Sequence, residues 1–140
     1  MEQLPTQRSD RLRRLKTRAQ FQAALAGVTV ARTHHFALHR CALDAQPDDS
    51  RLFDATDAVW LGAMVPKRWA KRAVTRNAIK RQIYNVSDAD GICLPQAAHV
   101  VRLRASFDRK EFVSATSDKL KAAVRAELLQ LMQRARVARS

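Results

Sequence analysis

Three segments of the chain have the pattern of β-strands. Residues 33–43 and 98–104 alternate between two sides, as strands do when their faces meet different surroundings. Residues 58–65 are apolar almost throughout and are followed by Pro66, which is typical of a strand covered on both faces. The pattern therefore predicts a small sheet.

Three other segments have helical spacing. Thr17 and Gln20 are spaced as a capping box, which predicts a short helix over residues 19–26. Residues 74–86 and 116–134 each have one apolar stripe on an otherwise polar or basic helix. The stripes consist of Ile79, Ile83 and Val86 in the first, and of Leu120, Val124, Leu128 and Leu131 in the second. We expect both helices to pack on the sheet through these stripes.

The order of these elements predicts an α+β fold. A chain of 140 residues is long enough for one domain and too short for two of ordinary size. The order αββαβα, with room for an extra short strand, indicates a two-layer α/β sandwich of one small sheet and about three helices. We expect residues 15–134 to form this domain, residues 1–14 to be a flexible basic arm, and residues 135–140 to be a basic tail.

The composition is strongly basic. The chain has 26 Lys and Arg residues against 13 Asp and Glu, for a formal net charge of +13. Because such a charge repels itself in a folded domain, it indicates a polyanionic partner, with nucleic acid ahead of an anionic membrane surface. The sequence lacks a membrane-spanning run and a secretory signal, and its two cysteines fit free thiols in a reducing compartment. We therefore expect a cytoplasmic protein with no membrane partner.

The positive charge is concentrated in one segment. Residues 58–87 contain no acid, whereas residues 44–57 contain five Asp and one Arg. Within residues 67–81 the cations are Lys67, Arg68, Lys71, Arg72, Arg76, Lys80 and Arg81. An ordinary solvated helix face mixes both signs in pairs four residues apart, and this segment offers no negative partner. The segment thus predicts a phosphate-binding surface.

The sequence contains no complete catalytic or metal site. His39 and Cys41 share one side of a predicted strand, but no third group accompanies them, and a strand cysteine is more often a small buried residue. The histidines and cysteines lack zinc-site spacing, and the three glycines form no phosphate-binding loop. These observations favour a binding protein with no catalytic residue, metal or cofactor of its own.

The basic segment resembles a known family signature. Residues 67–81 read KRWAKRAVTRNAIKR, which is similar to the signature of the bacterial ribonuclease P protein component: paired basic residues, an Ala-Val, then Arg-Asn-Arg-x-x-Lys-Arg or a close variant. The resemblance extends to Leu15, Lys16 and Phe21 at the start of the domain and to a Phe-x-Leu strand at Phe36. It covers about residues 12–134.

The chain departs from the family signature at four positions. Ala78 stands in place of the second arginine, and Ala70 lies near the place of a common glycine. Tyr84 and Asn85 stand in place of an Arg-Glu pair. We therefore expect an RNA-binding surface with fewer cations, for which Lys71 or Arg72 compensates.

The resemblance implies both a fold and a function. The fold is an α–β sandwich with a left-handed β-α-β crossover, against the usual rule. The protein is the accessory subunit of ribonuclease P, which removes the 5′ leader of precursor tRNA; catalysis and Mg²⁺ belong to the RNA subunit. The expected partners are that RNA subunit and precursor tRNA, and no DNA. The implied RNA-binding residues are Lys67, Arg68, Lys71, Arg72, Arg76, Asn77, Lys80 and Arg81.

The resemblance also implies a cleft between the first helix and the sheet, which takes the single-stranded leader. The candidates to line it are Phe21, Phe36, His39, Arg102 and Arg104. Phe36 and His39 lie on opposite sides of one strand, so they line one cleft only if the strand bends. Core packing is an equal alternative for Phe21 and the favoured one for Phe36. The two arginines either line a groove or mark a solvent-facing side.

Two other functions are compatible with the charge. A general RNA- or ribosome-binding module would need no ribozyme partner. A helix-turn-helix DNA-binding protein would use residues 70–84 as its recognition helix, but it needs another helix in front of that segment, where this chain has an apolar strand. The sequence therefore favours the ribozyme subunit.

Overall fold

The computed structural model describes residues 12–43, 52–54, 57–89, 92, 94–107 and 118–139. Within them, the strands are β1 (Leu12–Arg14), β2 (Val28–Arg32), β3 (Phe36–Cys41), β4 (Val59–Met64) and β5 (Ala98–Leu103). The helices are α1 (Arg18–Leu25), α2 (Ala73–Ser87) and α3 (Asp118–Arg139). The combination of helices with one sheet confirms the predicted α+β class.

The five strands form a single mixed sheet in the order β1-β4-β5-β3-β2. Strands β1, β4 and β5 are parallel neighbours, whereas β3 pairs antiparallel with both β5 and β2. Helix α2 connects the adjacent parallel strands β4 and β5. The predicted β-α-β unit is therefore present, and its left-handed sense stays a prediction.

The structure corrects the predicted boundaries at both ends. β1 takes the last three residues of the segment predicted to be a flexible arm, and the rest of that arm lies outside the described residues. α3 extends to Arg139, through most of the predicted tail, because buried Ala135 continues its apolar stripe. Strand β2 was not predicted, since the apolar–polar alternation of its five residues, VTVAR, stops after the third residue, where the strand has a bulge.

The start of α1 confirms the predicted capping box. The Thr17 side chain accepts a hydrogen bond from the backbone N–H of Gln20, and the Gln20 side chain accepts one from that of Thr17. The Gln20 amide also donates to the carbonyl of Leu52 at 2.6 Å. Gln20 is therefore buried although polar, because its hydrogen bonds are satisfied inside the protein.

Gly27, which follows α1, allows two backbone segments to approach closely. A Cβ atom at this position would lie 2.0 Å from the carbonyl oxygen of Arg40 on β3. We expect Gly27→Ala to lower the free energy of unfolding by about 1–3 kcal/mol, because backbone on both sides must move. Urea unfolding would measure this loss, with Gln22→Ala on the exposed side of α1 as the control, which should change stability by less than about 0.5 kcal/mol.

Hydrophobic cores lie on both faces of the sheet. On one face, β3, β4 and β5 pack against α2 and α3, and every residue of the two predicted helical stripes is buried there. On the other face, Trp60 and Val100 pack against Leu15 and Ala24 beside α1. The short helix α1 thus adds a partial third layer to the predicted sandwich.

His99 of β5 is a buried titratable group. It is fully inaccessible to solvent; its Nε2 donates to the carbonyl of Pro95 at 3.0 Å, and its Nδ1 accepts from Nε of Arg40 at 3.3 Å. Burial, opposed by the bond to Pro95 and aided by the charge of Arg40, lowers the pKa of His99 from 6.5 to about 4. The imidazole is therefore neutral at physiological pH.

Candidate nucleic-acid interface

Helix α2 presents its polar face to solvent because its apolar stripe is buried. Ile79, Ile83 and Val86 are at most 2% exposed, whereas Asn77, Lys80 and Arg81 are exposed. The side chains that the sequence assigned to RNA binding are thus accessible on α2. This face carries positive charge without acidic neighbours on its own helix.

The turn before α2 continues the same basic surface. The backbone N–H groups of Trp69 and Ala70 both donate to the carbonyl of Pro66, which closes a turn immediately after β4. The predicted RNA-binding cations of this turn and the helix start, namely Lys67, Arg68, Lys71 and Arg72, are all exposed. Together with the exposed residues of α2 they form what we call the basic surface.

Arg76 differs from its neighbours because it is tied to the backbone. Its Nη1 donates to the carbonyls of Ala70 at 3.0 Å and Lys71 at 2.8 Å. The residue preceding α2, Arg72, makes no side-chain capping bond, so Arg76 fastens this turn to the helix. Sequence reasoning assigned Arg76 to RNA alone and missed this structural contribution.

Tyr84 and Arg14 add a contact that the sequence did not predict. The Arg14 guanidinium carbon lies 3.9 Å from the centre of the Tyr84 ring, a cation–π geometry. The Tyr84 hydroxyl accepts a hydrogen bond from the N–H of Ala63 at 3.3 Å, just beyond the end of the β1–β4 pairing. One of the departures from the family signature, Tyr84, therefore joins the basic helix to the sheet and places Arg14 beside it.

A row of four paired residues crosses the face of the sheet under α1. Strand pairing aligns Gly62, Val100, His39 and Thr29 across four strands. The Phe21 ring of α1 lies so close over Gly62 that a Cβ atom there would approach it to 2.5 Å. Phe21 is only partly buried, so its ring borders the row and remains accessible.

His39 fixes the guanidinium of Arg102 on this face. Nε of Arg102 donates to Nε2 of His39 at 3.1 Å, and Nδ1 of His39 lies 3.1 Å from the Thr29 hydroxyl. Because Nε2 accepts, the proton of the neutral ring is on Nδ1 and is donated to Thr29. Burial, then the charges of Arg102 and Arg32, lowers the pKa of His39 below 6.5. A neutral His39 thus positions a cationic Arg102.

Arginines gather around Arg102. A bulge in β2 between Thr29 and Ala31 aligns Arg32 with Ala37, which places Arg32 on the α1 side of the sheet. Burial and the charges of Arg104, Arg68 and Arg32 all lower the pKa of Arg102, although an arginine stays protonated in proteins. Arg68 also belongs to the basic surface. The charge of the basic surface therefore acts on the face under α1 through Arg68.

Two of the predicted cleft residues lie elsewhere or have other contacts. Phe36 is fully buried in the core with α2 and α3, on the opposite face from His39, so its prediction as a cleft residue is wrong. The strand does not bend enough to bring both to one side. Arg104 is exposed and donates through Nη1 to the carbonyls of Thr33 and His34.

Metal-ligating side chains, membrane-spanning helices and the Cys41 thiol each bear on what the described part of the chain can do. No three His, Cys, Asp or Glu side chains in it are arranged to hold a metal ion, and none of its helices is long and apolar enough to cross a membrane. Burial raises the pKa of the Cys41 thiol, which opposes the thiolate form that a nucleophile needs. Cys41 is therefore a poor candidate for a nucleophile.

The family model for ribonuclease P matches residues 10–135 of the chain. The chain belongs to the ribonuclease P protein family. It is 36% identical over 118 residues to the ribonuclease P protein component of Bordetella parapertussis, covering 82% of this chain and 85% of that protein. It is 31% identical over 120 residues to that of Ralstonia pickettii, covering 86% and 76%.

The fold agrees with a solved structure of the same family. The Staphylococcus aureus ribonuclease P protein superposes with a TM-score of 0.60 at 20% sequence identity, covering 86% of this chain and 92% of that one. As a ribonuclease P protein, this chain is an RNA-binding protein of tRNA 5′ processing. Residues 70–84 do not form the second helix of a helix-turn-helix, because strand β4 and a turn precede α2.

Proposed function

We propose that this chain is the accessory subunit of ribonuclease P and binds two RNA elements with adjoining surfaces. The basic surface around α2 binds the catalytic RNA subunit. The face under α1, bordered by Phe21 and carrying Arg102, binds the single-stranded 5′ leader of precursor tRNA. The observation that carries the proposal is the run of exposed cations on the turn after β4 and on α2, in a chain that the ribonuclease P family model matches over residues 10–135.

The chemistry of each surface suits its proposed ligand. Exposed Lys80 and Arg81 neutralise phosphates and release counterions, which lowers log K by about 0.7–0.9 per contact for each tenfold rise in salt. The partly exposed Phe21 ring offers a surface for a leader base, for which stacking contributes about 1–3 kcal/mol. Arg102, held by His39, offers a fixed cation to the leader backbone.

Catalysis is assigned to the RNA subunit together with Mg²⁺. The proposed part of the protein is to hold the leader and the RNA subunit in a fixed relation, which lowers the Mg²⁺ concentration that cleavage requires. Reconstitution with a ribonuclease P RNA tests this assignment. The protein alone should leave precursor tRNA intact, and addition of the protein to the RNA should permit cleavage at lower Mg²⁺. Cleavage by the pure protein would contradict it, as would a broad ribosomal RNA profile in a pull-down, which would favour a general RNA-binding module.

The double substitution Lys80→Gln/Arg81→Gln tests the basic surface. Both side chains are exposed, so we expect the fold to persist and the slope of log K against log salt for the RNA subunit to fall by roughly 1.5. The control Lys119→Gln/Arg125→Gln removes the same charge from the exposed side of α3. It should change the slope of log K against log salt much less. Filter binding over a salt series gives both values; equal losses in the two variants would show that only net charge matters.

A further inference from the structure

The turn between β2 and β3 carries a stack of three rings. His35 lies between Phe107 and His34, with ring centroids 3.9 Å and 4.2 Å away and planes within 8° and 22° of parallel. Phe107 also contacts the buried Phe36 ring at 6.0 Å, so the inner end of the stack rests on the core. The outer ring, His34, is exposed.

Glu127 of α3 holds this turn in place. One carboxylate oxygen lies 2.7 Å from Nδ1 of His35, and the other accepts from the Thr33 hydroxyl at 2.6 Å and from the backbone N–H of His35. Burial raises the pKa of Glu127, but the hydrogen bonds from Thr33 and His35 outweigh it and bring the pKa below 4.5. An ionised carboxylate therefore fixes the middle ring, and the turn presents His34 already ordered.

Two arginines are bonded to the backbone that leads into and forms this turn. Nη1 of Arg104 donates to the carbonyls of Thr33 at 2.9 Å and His34 at 3.0 Å, and Nη1 of Arg134 donates to the carbonyl of Arg32. A guanidinium has five N–H donors, so each arginine is anchored by one nitrogen and keeps others for a ligand. A flat exposed ring on a turn whose backbone holds two cations is complementary to a base with its phosphates.

We propose that the outer face of His34 binds an unpaired nucleobase of RNA, while Arg104 and Arg134 contact the adjacent phosphates. The ring stack differs from the face under α1 in its anchor, because Glu127 belongs to a helix that packs on the opposite face of the sheet. Arg104 lies between the two, since its charge also acts on Arg102. An aromatic peptide would supply a ring but no phosphates for the arginines, so RNA is the favoured ligand. The inference deepens the proposed function, on which it rests, by adding a second contact with single-stranded RNA.

Two charge-matched oligonucleotides test the platform. The probes are a fluorescent adenosine hexanucleotide and a hexamer of abasic ribose phosphates, titrated with the free protein in anisotropy measurements. His34→Ala should weaken binding of the adenosine probe by about fivefold or more, since loss of one stacked base corresponds to at least about 1 kcal/mol. Binding of the abasic probe should not change. His34→Phe should keep the affinity of the wild type, and Gln130→Ala on the exposed side of α3 is the control.

The outcomes separate this inference from the proposed function. Equal affinity of wild type and His34→Ala for the adenosine probe would overturn the platform, and normal reconstituted cleavage would then leave the accessory-subunit assignment intact. Failure of the wild type to assist cleavage would overturn that assignment while the oligonucleotide result still stands. Binding of a neutral tyrosine-containing peptide to His34, with no response to the adenosine probe, would assign the ring to a protein partner. Because His34 is exposed, thermal unfolding of the variants should match that of the wild type.

Discussion

Phe36→Ala should lower the free energy of unfolding by about 3–5 kcal/mol, the range for truncation of a fully buried phenylalanine. The ring lies in the core between β3 and the helices α2 and α3, next to Phe107. A loss of this size is a large fraction of the stability of an ordinary domain. Urea unfolding at fixed salt measures it.

The comparison with Phe21 distinguishes a core ring from a cleft ring. Phe21→Ala removes a partly exposed ring and should weaken leader-dependent binding of precursor tRNA more than it lowers stability. Phe36→Leu, which retains most of the apolar volume, should fold and should leave leader-dependent binding unchanged. A folded Phe36→Leu protein with weakened leader binding would restore Phe36 to the cleft and would contradict the placement observed here.

Lowering the pH from 6.5 to about 4 should destabilise the protein through His99 by about 3 kcal/mol. The unfolded chain binds a proton near pH 6.5, whereas the folded chain binds it only near pH 4, so between these values the proton favours the unfolded state. Each pKa unit corresponds to about 1.4 kcal/mol, which gives the total. Above about pH 7.5 this contribution is complete and constant.

The variant His99→Gln isolates this effect. Its amide can donate to the Pro95 carbonyl but does not titrate, so the variant should lose most of the decline between pH 6.5 and 4. His39, whose pKa is also lowered, reduces stability at low pH equally in both proteins. Glu127, whose pKa lies below 4.5, affects stability only below about pH 4.5. Urea unfolding at several pH values, with the exposed His34→Gln as control, gives the comparison. Parallel curves for wild type and His99→Gln would contradict the assignment.

The sequence predicted most of the fold because its strongest signals are local. The capping box at Thr17 and the apolar stripes of α2 and α3 depend on spacing within one element, and the structure confirms them. Strands β1 and β2 were missed for the opposite reason. β1 has only three residues, and the alternation of β2 is interrupted by its bulge, so neither edge strand has a clear periodic pattern.

The sequence predicted the composition of the candidate site but not the contacts within it. A run of cations without acids identifies an anion-binding surface, but it does not reveal that Arg76 fastens a turn or that His39 holds Arg102. Those hydrogen bonds join residues that the fold brings together, up to 63 positions apart. The strand alternation separated Phe36 from His39, but it did not show which of the two faces the core, and Phe36 stayed among the predicted cleft residues until its packing against α2 and α3 was seen.

The bulge in β2 also affects which register the β2–β3 hairpin adopts when the chain folds. Without the bulge, a hairpin that keeps Thr29 opposite His39 would pair Arg32 with Phe36. In that register the guanidinium of Arg32 would point toward the apolar core. Burial of an unpaired charge is strongly unfavourable, so the slipped hairpin is rejected. The charge of Arg32 therefore also helps to specify the register of the β2–β3 hairpin.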